Sequence, residues 1–240
     1  MKTTLYIIAV LIISAALSIG LWYFYKSSQY EAYVLIDITD PSIQQIDSSA
    51  IFSDAIAEIH TWGSAEIHVS TLTDFDYNSV QTASLHASFI PLGNPDNRQK
   101  SIAQFTSDFK DAISKVYLAD LGRSQSSIYV PLVRSLNILS SSHAKVKKLY
   151  VYSDLLLNTD SFSMYRANDL SLIEKDPVKV SSKLENEAMP GNLQGITVFF
   201  IYQAKNREDE RKHLLIAKVL EAILTAHHAQ VEILTNYSTD

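Results

Sequence analysis

The chain has 240 residues, which suits one folded domain with an appendage better than two full domains. Hydrophobic residues at 47% and charged residues at 19% support a packed core and exclude wholesale disorder. A net charge of -6 argues against a nucleic-acid-coating role, and the lack of cysteine excludes disulfides, thiol catalysis, Cys-ligated zinc and iron–sulfur clusters.

The segment Leu5 to Tyr25 carries no charge over a length that would cross a hydrocarbon core, which takes roughly 20 helical residues. It ends in Trp22-Tyr23-Phe24-Tyr25, rings that prefer a headgroup boundary, followed by Lys26. The pattern predicts a transmembrane helix at about 5–25 that serves as a signal-anchor, within a membrane anchor over 1–26. A cleaved signal peptide with Ala16-Leu17-Ser18 as its small-x-small site competes with this, but the apolar run continues past Ser18 and favours retention. Lys2 lies on one side, while Lys26 on the other is soon offset by Glu31 and Asp37. That asymmetry predicts a single-pass membrane protein of the cell envelope, with its C-terminal domain outside the cytoplasm. Without residues 1–26 the remainder has 18 basic against 26 acidic residues, a net charge of -8 that an anionic lipid surface would repel.

Residues 27–240 alternate between strand and helix patterns. Tyr33–Ile36 reads as a buried strand ending at Asp37. Asp47 or Ser48 is placed to cap a helix whose apolar positions are Ile51, Phe52, Ala55, Ile56 and Ile59. Glu66–Leu72 alternates as a second strand, and a weaker third lies near Ala83–Ile90, closed by Pro91, Gly93 and Pro95. Helices follow over Ser101–Leu118 and Ile128–Ser140, then a fourth strand at Lys148–Ser153 ending at Asp154. Leu155–Met189 is polar and mixed, with room in its pattern for one short helix. Ile196–Tyr202 is the most strand-like segment, Glu208–His228 an amphipathic helix, and Val231–Leu234 the last strand. This order predicts one α/β domain: a doubly wound, mainly parallel sheet with helices on both faces, a three-layer sandwich.

In such a sheet ligands bind beyond the carboxyl ends of the strands. The first strand delivers Asp37, Thr39, Asp40, Pro41 and Ser42 there, the loop after Gly122 delivers Ser124, Ser126 and Ser127, and the fourth strand delivers Ser153 and Asp154. Carboxylates and hydroxyls from three loops suit a hard cation such as Mg²⁺. The order of elements and these residues resemble the von Willebrand factor type A domain. In that family a strand ends in Asp-x-Ser-x-Ser, a later loop supplies a Thr, and a later strand ends in Asp, often as Ser-Asp. The resemblance implies a metal-ion-dependent adhesion site for Mg²⁺ or Mn²⁺ that takes a partner's carboxylate. On it, Asp37 and Thr39 match the first two positions, Ser126 or Ser127 replaces the loop Thr, and Ser153-Asp154 matches the last. Pro41 departs from the pattern at the third position, and Ser42 stands one residue late. The metal ligands so expected are Asp37, Thr39, Ser42, Ser127 and Asp154.

The expected function is an interaction module for a protein partner, reached through an acidic side chain on that partner or through a helix face, with the membrane met through residues 5–25. A metal-free scaffold of the same fold in an envelope complex is one alternative. A metal-dependent phosphate hydrolase is another: Asp37-x-Thr39 is similar to the Asp-x-Asp of aspartyl-phosphate phosphatases, although Thr39 cannot act as their acid–base group. The six glycines never form GxG or GxxxxGK, which argues against phosphate-cradling nucleotide folds. The seven histidines, His213 among them, have no metal-ligand spacing and read mostly as surface or sheet-face residues.

Overall fold

Tyr30–Ile36 forms β1, and all but one of its residues are buried. Its apolar run is continuous because it sits mid-sheet, between two covered faces. The structure, a computed structural model, describes residues 2–26, 29–38, 46–59, 63–72, 79–88, 94–118 and 128–238. The helices are α1 (Lys2–Lys26), α2 (Ser48–Glu58), α3 (Pro95–Leu118), α4 (Tyr129–Ser141), α5 (Ala167–Lys175), α6 (Pro177–Glu187) and α7 (Arg207–Ala226). The further strands are β2 (Ala65–Thr71), β3 (Gln81–Leu85), β4 (Val146–Tyr152), β5 (Ile196–Ile201) and β6 (Gln230–Leu234).

The six strands form one sheet in the order β3-β2-β1-β4-β5-β6. β1 pairs in parallel with β2 and with β4, Ile36 lying beside Thr71 and Tyr152. β5 and β6 extend the parallel set, whereas β3 returns antiparallel to β2. The segment between β2 and β3 is too short for the dozen or more residues that a parallel crossover needs.

Alternation along the strands divides the core into two layers. Leu35, Leu149, Val151, Val198 and Phe200 face a cluster roofed by α4, α5, α6 and α7. Val34, Tyr150, Tyr152 and Phe199 face the opposite cluster, roofed by α2 and α3. The helices begin where capping chemistry allows. Asp47 accepts from the backbone of Ser49 and Ala50, Asp176 caps α6 with Pro177 behind it, and Asn206 caps α7. The mixed stretch Leu155–Met189 therefore holds two helices rather than one.

One expectation is overturned. Among the described residues no helix is long and apolar enough to cross a membrane. The transmembrane helix at 5–25, the signal-anchor and the single-pass membrane localisation with an extracytoplasmic domain are corrected accordingly.

Candidate functional site at the strand ends

Strand order reverses between β1 and β4: the chain leaves β1 toward β2 on one side, and β4 toward β5 on the other. The carboxyl ends of this pair are the switch point at which open α/β sheets bind ligands. Asp37 and Asp154 both stand there. Asp37 continues the ladder, its backbone N–H donating to the Tyr152 carbonyl at 2.9 Å, and is 2% exposed.

Ser153, fully buried, joins the two strand ends. Its hydroxyl donates to Asp37 Oδ2 at 2.9 Å and accepts from the Leu155 backbone N–H at 2.9 Å. Asp154 Oδ1 accepts from the Leu156 N–H at 2.8 Å. Between them Leu155 takes φ 60°, the left-handed region that a bulky residue enters at a cost of about 1–3 kcal/mol. The Leu155 carbonyl accepts from Leu157 N–H at 2.9 Å, so the turn is closed by its own backbone and by two side chains.

A further bond comes from outside the turn. His213, on α7 and 4% exposed, brings Nδ1 to 3.0 Å from the Asp154 carbonyl oxygen. A carbonyl only accepts, so Nδ1 carries the hydrogen and Nε2 presents a lone pair, for which no partner is found among the described residues. The ring also packs on Tyr202, with centroids 5.0 Å apart. Burial pushes the imidazole pKa below its ordinary value, although the Asp154 carbonyl pulls the other way. The expected surface or sheet-face place for His213 is thus corrected. It falls on the buried stripe with Ile216, Ala217 and Leu220, a spacing that was visible in the sequence.

Of the expected metal ligands, the structure brings Asp37 and Asp154 to one end of the sheet, while Thr39, Ser42 and Ser127 lie outside the described residues. Among the described residues no group of three or more His, Cys, Asp or Glu could hold a metal ion. Asp37 and Ser153 meet there through one hydrogen bond, and their oxygens are of the kind a hard cation takes.

A second polar cluster lies in the layer under α2. Asp54 accepts from Tyr150 Oη at 2.6 Å, from Tyr30 Oη at 3.2 Å and from Lys148 Nζ at 2.7 and 2.9 Å. Lys148 also reaches Glu58 at 3.1 Å, and Tyr237 Oη lies 3.3 Å from that of Tyr150. Burial, and then neighbouring Asp54 and phenols, push the Tyr30 and Tyr150 pKa values far up, so both phenols stay protonated near neutrality. The arrangement ties α2 to β1 and β4. Its sequence signal was a carboxylate on the apolar stripe of α2 and a lysine inside a strand.

No family model matches this chain, and no curated protein is significantly similar to it.

Proposed function

We propose that the chain is a protein-interaction module of the von Willebrand A type, with a divalent cation, Mg²⁺ or Mn²⁺, held at the carboxyl ends of β1 and β4. One observation carries this: the Asp37 and Asp154 carboxylates stand at the switch point of the sheet, with Ser153 hydrogen-bonded to Asp37. A mostly parallel six-stranded sheet flanked by helices is compatible with such a domain.

In this proposal Asp37 and Asp154 supply negative charge, and the Ser153 hydroxyl sets the orientation of Asp37. Thr39, Ser42 and Ser127 are the further oxygen donors. A bound cation would supply a positive centre for an acidic side chain of the partner protein. Pro41 brings no side-chain oxygen, so water fills one position and weak binding follows. A metal-free scaffold is the second reading. It draws on the protein donors that already engage Asp37 Oδ2 and Asp154 Oδ1.

Melting curves of the full chain decide between them. A cation that binds only the folded state raises stability by about 1.4 kcal/mol at ten times its Kd. Mg²⁺ or Mn²⁺ should raise the melting temperature in a concentration-dependent way, and Asp37→Ala or Asp154→Ala should abolish the rise. If neither cation shifts the curve at millimolar excess, the cation proposal fails and the scaffold reading stands.

A further inference from the structure

The two core layers draw on every strand and on six of the helices, but on no residue of α1. From Tyr6 to Trp22 every residue of α1 is exposed, and eleven large apolar side chains there are 51–74% open. The two serine hydroxyls of this stretch turn back to the helix's own carbonyls. Ser14 donates to Leu11 at 2.9 Å and Ser18 to Ser14 at 2.8 Å, so neither hydroxyl needs water. A helix that is apolar on every side is one that another surface covers.

A groove runs along one face of α1, lined by Ile13, Ala16, Leu17, Gly20 and Leu21. Residues four apart stack along a helix, so Ile13, Leu17 and Leu21 form a ridge, and Ala16 with Gly20 forms the furrow beside it. A Cβ built on Gly20 would meet nothing within 4 Å, so the furrow stands open. Ridge and furrow lie side by side on the same helix. Two copies related by a twofold axis therefore fit each other, the ridge of each entering the furrow of the other.

Extent points to the same occupant. The eleven side chains leave on the order of 1,000 Å² open per chain. A pair that covers half of this on each copy buries about 1,000 Å² in all, the area a specific interface needs. The other exposed large apolar side chains, Val80, Ile138, Tyr165, Val178 and Met189 among them, belong to separate segments. No other described element is apolar and exposed along its length, so a second α1 is the surface that matches this one in chemistry and size.

We propose that α1 is a self-association helix, and that its furrow at Ala16 and Gly20 takes the Ile13–Leu17–Leu21 ridge of a second copy of this chain. The proposal does not rest on the cation reading. Sedimentation equilibrium of the full chain tests it, in a non-ionic detergent matched to the solvent density. Wild type should fit a concentration-dependent equilibrium between one chain and two. Gly20→Leu puts a side chain in the furrow, where its Cβ meets no atom of its own chain, and should raise the dissociation constant about tenfold or more. Ala15→Leu adds bulk on the opposite side of the helix and should stay within about threefold of wild type. Leucine forms helix better than glycine, so circular dichroism should show no loss of helix in the furrow variant. If Gly20→Leu does lose helix, Ala16→Leu makes the same comparison.

A mass of one chain at every concentration would overturn the proposal and leave detergent, or the chain's own domain, as the cover of α1. Tighter association in both leucine variants would also overturn it, because added apolar surface alone gives that result. Equal affinity of wild type and Gly20→Leu would move the contact away from the groove, and the proposal would fall.

Discussion

Replacing Asp54 by alanine is the sharpest probe of how the sheet is held to α2. The substitution removes the acceptor shared by Tyr30, Tyr150 and Lys148. The two phenols keep each other at 3.1 Å, so they are not orphaned. Lys148 keeps only Glu58, whose side chain is 41% exposed, while its own is 12% exposed. Breaking a buried ion pair by removing one partner costs about 3–5 kcal/mol. The remaining Glu58 contact and the partial exposure of Lys148 put the expected loss near the lower end, about 3 kcal/mol. Urea denaturation followed by far-ultraviolet circular dichroism reads it directly. With a slope of about 2–3 kcal/mol/M, reasonable for a domain of this size, the midpoint should fall by about 1–1.5 M. Asp54→Asn, which retains an acceptor oxygen, should lose about half as much. The double variant Asp54→Leu with Lys148→Met removes both charges and should recover at least half of the loss. A midpoint for Asp54→Ala unchanged within error, or strict additivity in the double variant, would refute the argument that a buried, mutually dependent pair is at work.

The same cluster sets the alkaline limit. The folded-state pKa values of Tyr30 and Tyr150 lie above the ordinary 10.0 and that of Lys148 above 10.5, so the unfolded chain releases these protons first. Stability should therefore be full below about pH 10 and fall as pH rises beyond it, with ultraviolet tyrosinate absorbance from the two phenols developing only with unfolding. Asp47→Ala should cost about 1 kcal/mol in urea denaturation, because the Ser49 and Ala50 N–H groups at the start of α2 lose their cap. His228 ends α7 at φ 74° in a Schellman motif, with its N–H on the Thr225 carbonyl and the Ala229 N–H on that of Leu224. The side chain is exposed, so His228→Gly should stabilise the chain by about 0.4–1 kcal/mol; a loss of stability would show that the side chain contributes more than its backbone strain costs.

Much of the domain was legible because period and capping are local. The strand at Ile196–Ile201, the stripe of α7 and the Asp47 cap were all visible as patterns within a few residues. The α5–α6 pair was not read, although Asp176-Pro177 is a cap followed by proline at the first helical position, a signal strong enough to have split the segment. The apolar run at the N-terminus misled for a different reason. An uncharged run of spanning length predicts a span, whereas among the described residues no helix is long and apolar enough to cross a membrane.

By itself the sequence determined where most of the strands and helices would lie, and that Asp37 and Asp154 would each follow a strand. Hydrophobic period and chain order carry that information, because each parallel strand needs a crossover and each helix a face to bury. Only the tertiary structure decided that β3 turns back antiparallel, that Ser153 reaches Asp37 across 116 residues, that Lys148 reaches Asp54 across 94, and that His213 closes on the Asp154 turn. Those are choices of register and crossing between distant segments. They depend on which side chains meet once two separate core layers close on one sheet, and no local pattern holds that geometry.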